Sequence, residues 1–143
     1  MTCLDDSEVV IRCEDDLSVE ARFTERHVGD RIMYFAVRLR APGLTADLEA
    51  ITNVVDGRGL SRFVDGLDFR GWQGAKTWIS TDEDLAVSAV FESMGHISLT
   101  WTISPWRMAG GRWSASVTTR IEAGAAKDDL ATQLHLFLVS EYD

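Results

Sequence analysis

The residues best suited to chemistry in this chain are short runs of carboxylates. Paired carboxylates can hold a cation or act together as an acid and a base. Consecutive carboxylates on a turn, however, point in different directions and stay in water, and no EF-hand spacing accompanies these runs. We therefore interpret two of the runs as an acidic face that binds a partner. Its predicted members are Asp15, Asp16, Asp82, Glu83 and Asp84.

Histidine and cysteine give no indication of a metal or catalytic site. They occur at positions 3, 13, 27, 96 and 135, which show no zinc-ligand spacing. The chain also lacks a G-x-S-x-G motif, a phosphate-binding glycine loop and a dinucleotide fingerprint. We expect no catalytic residue, no bound metal and no cofactor. His96 follows a glycine and precedes a strand pattern, which predicts a place at the end of a turn.

A second candidate binding feature is the segment Trp106-Arg107-Met108, which lies in a loop between two strand patterns. An aromatic residue, an arginine and a methionine together are typical of a hot spot in a protein interface. Large aromatic side chains are usually buried, so Trp106 could instead fold back over the sheet and cap the core. Trp106 and Arg107 complete the set of predicted partner-binding residues.

The charge of the chain limits the partners that it can have. The net charge is −9, and residues 1–30 contain nine acidic residues against three arginines, a net charge of −6. Nucleic acids and anionic membranes are disfavoured, because phosphate binding needs clustered Lys and Arg. A basic protein partner is favoured, since the negative charge would steer its approach. The same charge would also serve solubility alone.

The amino-terminal segment and the hydropathy pattern indicate a cytoplasmic protein. Residues 1–6 lack the basic start and apolar core of a signal peptide. No run of residues approaches the roughly 18 apolar residues of a membrane span. Cys3 and Cys13 are too few for a disulfide framework, so we expect free thiols in a reducing compartment.

The first half of the chain alternates apolar and polar residues, which predicts β-strands. Residues 9–13 and 17–23 form a predicted hairpin, a polar loop follows at 25–30, and a longer strand spans 31–41. The stretch 44–55 fits either a strand or one face of a helix. We favour a strand, because the turn Pro42-Gly43 joins it directly to a strand pattern.

The second half begins with a short predicted helix, in which Leu60, Phe63, Val64 and Leu67 lie on one face. Four further strands and a carboxyl-terminal helix follow. The resulting prediction is a single α+β domain, residues 1–143, in the order ββββ-α-ββββ-α. Its mostly antiparallel sheet of about eight strands must curl on itself or pack on the two helices to cover its apolar face.

Glycines and tryptophans at fixed places give the second half a recognisable pattern. A sharp corner is predicted at Gly71 to Trp78, where two glycines flank a tryptophan. The pattern comprises Gly71, Trp72, Gly74, Trp78, Leu85-x-Val87, Gly95-His96-Ile97-x-Leu99, Trp101, Trp113 and Ile121-Glu122-Ala123-Gly124. Over residues 57–139 it resembles an uncharacterised family of small actinobacterial proteins, similar in layout to the WapI-type immunity proteins. The resemblance implies a cytoplasmic protein that binds a partner toxin, and it carries over no catalytic residue.

Three functions follow as hypotheses. The first is a non-enzymatic protein-binding domain, such as an immunity protein that neutralises a basic toxin. The second is a small-molecule binder or an unrecognised enzyme with a pocket lined by Trp72, Trp78, Trp101 and Trp113. The third is a structural homo-oligomer that pairs through an exposed sheet edge.

Overall fold

Two runs of four strands, each followed by a helix, make up the part of the chain that the computed structural model describes, residues 8–28, 33–53, 59–105 and 112–139. The elements are β1 (Val9–Cys13), β2 (Asp16–Val28), β3 (Met33–Ala41), β4 (Leu44–Asn53), α1 (Gly59–Asp65), β5 (Ala75–Ile79), β6 (Leu85–Glu92), β7 (His96–Ile103), β8 (Ala115–Glu122) and α2 (Ala125–Val139). The predicted order ββββ-α-ββββ-α is confirmed, and the ambiguous stretch 44–55 forms a strand as far as Asn53.

The strands form two antiparallel sheets in which neighbours in sequence are neighbours in space. Sheet A has the order β1-β2-β3-β4, and sheet B has the order β5-β6-β7-β8. Within each sheet the connections are short, and a short turn can only join antiparallel strands. The predicted antiparallel α+β fold is confirmed, and its eight strands divide between two sheets where α1 interrupts the chain.

One hydrophobic core fills the space between the two sheets and the helices. Alternate residues of each strand point inward, so β7 buries Ile97, Leu99, Trp101 and Ile103 while the residues between them stay partly exposed. The inward residues of both sheets and the apolar faces of α1 and α2 belong to the same cluster. Each sheet therefore covers the apolar face of the other, with the helices closing the sides.

Four aromatic rings mark the centre of this core. The Phe23 ring stacks on Phe35 at 5.5 Å and meets the edges of Trp101 at 5.7 Å and Phe137 at 6.1 Å, centroid to centroid. The Trp101 indole Nε1 donates a 3.0 Å hydrogen bond to the buried Thr119 hydroxyl. Sheet A, sheet B and α2 thus meet at one group of side chains whose buried polar atom is satisfied.

Strand β2 is longer than predicted, because residues 25–28 of the predicted polar loop continue it to Val28. A bulge permits this, with Glu25 in the left-handed region at φ 56°. The bulge brings Arg26 to the end of α2, where its Nη1 donates to the carbonyl oxygens of Leu136 and Phe137. A cation at the carboxyl end of a helix satisfies otherwise unpaired carbonyls, so the polar residues are part of the packing.

The predicted glycine–tryptophan corner leads directly into β5. Gly71 has a φ of 106°, and a Cβ at this position would lie 2.8 Å from the Phe91 ring. The Trp72 ring packs on Phe91 at 5.6 Å, and Lys76 Nζ lies 5.2 Å from the Trp72 ring centroid. Gly74, at φ 78°, then turns the chain into Ala75, the first residue of β5. The corner therefore fixes the path from α1 to sheet B.

Trp78 and Trp113 lie at the margins of sheet B. Trp78 is half-buried on the inner side of β5, and a Cβ on Gly59 would lie 3.0 Å from its indole Nε1. Trp113 is 41% exposed and precedes β8, which begins at Ala115 and not at the predicted residue 113. The two indoles cover edges of the fold, whereas Trp101 occupies its centre.

Candidate functional site

The two sheets are joined where the β1–β2 turn meets strands β7 and β8. The Glu14 amide donates a 2.9 Å hydrogen bond to the Arg120 carbonyl oxygen. The Arg120 amide in turn lies 3.4 Å from the Cys13 Sγ, a free and buried thiol. These backbone contacts hold the turn of sheet A against the outermost strand of sheet B.

Charged side chains reinforce this junction. Arg120 Nη1 lies 3.1 Å from an Asp15 oxygen, and its Nε lies 2.9 Å from Glu92 Oε1. His96 Nε2 lies 3.1 Å from Glu14 Oε1. The cation of β8 and the imidazole of β7 thus both bind residues from the turn of the other sheet.

We define the seam cluster as the ionisable groups at this junction. Its members are Glu14, Asp15, Asp16, Glu92, His96, Arg120 and Glu122. Glu122 belongs to it through register, because it pairs with His96 across β7 and β8. Five of the seven members are carboxylates and one is an arginine, so the cluster is negative at neutral pH.

Hydrogen bonds lower the pKa of three of these carboxylates. The Ser98 hydroxyl and then Arg120 lower the pKa of Glu92. The Ser18 hydroxyl and amide lower the pKa of Asp16. The amides at the start of α2, those of residues 126 and 124, lower the pKa of Glu122, which caps that helix. Groups with lowered pKa values hold negative charge but are poor proton donors near neutral pH.

Two exposed apolar side chains, Leu17 and Met94, adjoin the seam cluster in the chain. Leu17 follows Asp16 at the start of β2 and is 69% exposed, while Met94 lies in the β6–β7 turn and is 86% exposed. Met94 has a φ of 68°, and the amide of Ala123 donates to the carbonyl of the next residue, Gly95. Methionine is enriched at protein interfaces, so exposed Met94 is a candidate contact point beside the fixed charges of the seam cluster.

The second predicted acidic turn lies at the opposite end of sheet B. Asp82 and Glu83 are exposed in the β5–β6 turn, whereas the seam cluster lies beside the other end of β6. The eight residues of β6 separate the two ends by roughly 25 Å. The structure therefore does not bring the two predicted runs into one acidic face. Trp106 and Arg107 lie outside the described residues.

Asp84 has a structural place in its turn. It is only 6% exposed, and its Oδ1 accepts a 2.7 Å hydrogen bond from the Ser80 hydroxyl. The Ser80 hydroxyl also accepts from the Leu85 amide at 3.0 Å. A partner cannot reach this carboxylate as it can reach its two neighbours. Burial raises the pKa of Asp84, with the Ser80 hydrogen bond opposing it.

This raised pKa predicts a pH effect on stability. Asp84 binds its proton more tightly when folded than when unfolded, so its ionisation weakens the fold as pH rises through the raised pKa. The Asp84→Asn variant keeps an oxygen for Ser80 and removes this titration. We expect the free energy of unfolding of the native protein, relative to that of Asp84→Asn, to fall as pH rises from 3.8, the ordinary value, through the folded pKa. Urea denaturation of both proteins from acid to neutral pH measures this, and a parallel pair of curves would contradict it.

Two of the four tryptophans predicted to line a pocket have very different surroundings. Trp101 is fully buried in the core, and Trp113 is 41% exposed at the margin of sheet B. Three clefts open on described residues, between α1 and α2 and on sheet A, and no tryptophan lines any of these three. Within residues 8–28, 33–53, 59–105 and 112–139, no group of three potential ligands is placed to hold a metal ion.

Sequence reasoning found part of the seam cluster and missed the rest. It singled out Asp15, Asp16 and His96, but not Arg120, which binds both Asp15 and Glu92. Arg120 interrupts a strand whose outward residues are otherwise mostly hydroxylated, and that interruption is the one local signal of its role. Its partner Asp15 is 105 residues away in sequence, so no spacing rule could pair them.

By fold, the protein is an α+β domain of two antiparallel four-stranded sheets joined at a charged seam. The chain belongs to a family of unknown function, DUF6228, whose model matches residues 12–141. The predicted membership of an uncharacterised family is confirmed at that level. Comparison with the curated proteins and with the solved structures finds no match. Among the described helices, neither is long and apolar enough to cross a membrane.

Proposed function

We propose that this protein is a non-enzymatic protein-binding domain that uses the seam cluster to hold a basic partner. The observation that carries the proposal is the pair of turns, fixed to one another by Arg120 and His96, that present carboxylates beside exposed Leu17 and Met94. The carboxylates would attract the basic partner during its approach and fix its orientation in the complex. The exposed Leu17 and Met94 side chains would add buried apolar area.

The fixed geometry of the seam cluster favours binding in a second way. Arg120 is bound on two sides, and Glu122 is tied to the first turn of α2, so these side chains are already ordered. Ordering a free side chain when a complex forms costs about 0.5–1.5 kcal/mol. Because these side chains are already ordered when the protein folds, part of that free energy is not lost again on binding. The net charge of −9 extends the attraction for a cation-rich surface beyond direct contact.

The partner that we propose is a basic toxin domain, which would make this an immunity protein of cytoplasmic location. The resemblance of residues 57–139 to small actinobacterial proteins with the layout of WapI-type immunity proteins supports this, together with the acidic charge. A small-molecule site among the tryptophans has less support, because Trp101 is enclosed by the core and Trp113 lies at the margin.

Co-expression tests the identity of the partner. The probe is the carboxyl-terminal domain of a secreted multidomain protein encoded beside the gene for this chain. We expect that domain to arrest growth when expressed alone, and this protein to restore growth and to co-purify with it. Continued arrest in the presence of folded protein, or the lack of any such neighbouring gene, would overturn the immunity proposal.

Charge reversal tests the surface. The double variant Asp15→Lys with Asp16→Lys changes the seam cluster, and Asp82→Lys with Glu83→Lys makes the same change of net charge at the far end of sheet B. In stopped-flow kinetics with that toxin domain at low salt, we expect the first variant to associate at least about tenfold more slowly and with a weaker salt dependence. The second should associate within about threefold of the native rate. Equal slowing of both would show that net charge alone acts and that the seam cluster is not the binding surface.

A further inference from the structure

The outward face of sheet B carries almost no charge beyond the seam cluster. Strand register places eleven side chains on it in three rows across the four strands. These residues, which we call the neutral face, are Ala75, Thr77, Ile79, Ala86, Ser88, Val90, Ser98, Thr100, Thr102, Ser116 and Thr118. All are small, hydroxylated or aliphatic, and all are exposed or half-buried.

Sheet A shows that this composition is not required for a solvated sheet. Its outward face, of similar size, carries charged residues in every strand, among them Arg12, Glu20, Arg22, Arg38, Arg40 and Asp47. Several pair across strands, as Arg38 does with Asp47 at 2.6 Å. Charge is thus spread over the outward face of sheet A, whereas on the outward face of sheet B it is confined to the seam cluster at one end.

We propose that the neutral face docks against the same face of a second copy of this chain. Two molecules of net charge −9 repel one another, and the repulsion is least where neither presents a carboxylate. In a two-fold symmetric interface the same patch of each copy meets itself, and a face without charges brings no like charges together there. A basic partner, in contrast, would gain no charge pairing from this face.

The hydroxyl groups of the neutral face are suited to burial. The Thr100 and Thr118 hydroxyls are 2.9 Å apart, and the Thr102 and Ser116 hydroxyls are 2.8 Å apart, so each pair shares a hydrogen bond. A polar group that already has a partner loses less on leaving water than an unpaired one. Ile79 and Val90, which are 54% and 40% exposed, add apolar area at the β5 side.

The face of sheet B is favoured over its edge for this contact. The edge strand β5 carries Lys76 on its inward side, where the lysine lies over Trp72. An inward-pointing charge on an edge strand opposes pairing with another edge. Face-to-face packing leaves the backbone groups of the edge strand unpaired with another copy. It also produces a two-fold dimer to which no third copy adds through the same face.

The size of the face places the proposed interface in the range of weak, transient contacts. Four strands about 4.8 Å apart and three rows of side chains about 7 Å apart give a face of roughly 20 Å by 20 Å. Two such faces bury on the order of 1,000 Å² once their rims are included, which is the low end of specific interfaces. We therefore expect a reversible dimer with a dissociation constant on the order of 100 µM.

Analytical ultracentrifugation of the full chain tests the inference. Ser88→Glu places a charge in the middle row of the neutral face, and Thr45→Glu places the same charge on the outward side of sheet A. Across a concentration series from about 10 µM to about 1 mM, the native protein should move from its 15.9 kDa mass toward twice that value. The shift should be larger in about 0.5 M salt, which screens the repulsion between copies.

The two variants decide which face is used. Ser88→Glu should weaken dimerisation at least about tenfold, whereas Thr45→Glu should stay within about twofold of the native protein. Melting curves confirm that both are folded. A native protein that stays monomeric throughout, an open-ended assembly, or equal weakening by both variants would overturn the inference. The Asp15→Lys and Asp16→Lys variant, whose net charge is less negative, should dimerise at least as strongly as the native protein, so failure of the binding proposal and failure of this one give different results.

Discussion

Replacement of Trp101 by alanine is expected to lower the free energy of unfolding by about 3–5 kcal/mol. The side chain is fully buried, meets the Phe23 ring at 5.7 Å and donates its only hydrogen bond to Thr119. Truncation removes the ring contact between Trp101 of sheet B and Phe23 of sheet A, and it leaves the Thr119 hydroxyl without its indole donor. Because domains of this size are stable by only about 5–15 kcal/mol, this loss is a large fraction of the total free energy of unfolding.

Trp113→Ala is the matched control for this loss. The same side chain is removed, but Trp113 is 41% exposed and lies outside the core cluster. We expect it to lower the free energy of unfolding by less than about 1 kcal/mol. Urea denaturation followed by circular dichroism measures both. Similar stabilities for the two variants would mean that the packing of Trp101 against Phe23 adds little to the stability of the core.

Gly71→Ala is expected to lower the free energy of unfolding by about 2–4 kcal/mol, through two effects that can be separated. At φ 106° an alanine is strained whatever space is available. Its methyl group would also lie 2.8 Å from two atoms of the Phe91 ring, which is packed against Trp72 and cannot simply move away. The corner that leads into sheet B would have to shift.

Gly74→Ala isolates the backbone part of this effect. Gly74 also has a positive φ, at 78°, but nothing lies within 4 Å of the position its Cβ would take. We expect a loss of about 1 kcal/mol, from backbone strain alone. The difference between the two variants in chemical denaturation reports the clash with Phe91. Equal losses would show that the close approach of Gly71 to the ring has no energetic consequence.

The two proposed surfaces lie side by side on sheet B. Glu92, Arg120 and Ser98 form their border, since Ser98 belongs to the neutral face and donates a 2.6 Å hydrogen bond to Glu92 of the seam cluster. A dimer through the neutral face would therefore leave a seam cluster at the rim of each copy. The seam cluster is negative and the neutral face is uncharged, so salt should act on them in opposite directions. Added salt should weaken binding of a basic partner and strengthen dimerisation.

The sequence by itself determined the strands, the helices and their order. Alternation of apolar and polar residues decides which face of a strand is buried. It can be read from the strand's own sequence, without knowing which strand pairs with it. The β4 segment was ambiguous only because its leucines fit two periods, and the turn at Pro42-Gly43 favoured the correct one. The extension of β2 through Arg26 was missed, since a bulge and a helix-capping arginine resemble a polar loop.

Only the tertiary structure decided how the charged residues combine. The acidic runs at 15–16 and 82–84 look alike in sequence, yet the first is tied to Arg120, while Asp84 of the second is buried against Ser80. The neutral face likewise depends on four strands lying in register, which no single strand pattern reveals. The physical reason is that burial is encoded by neighbours in the chain, whereas charge pairing and surface composition depend on residues brought together across it.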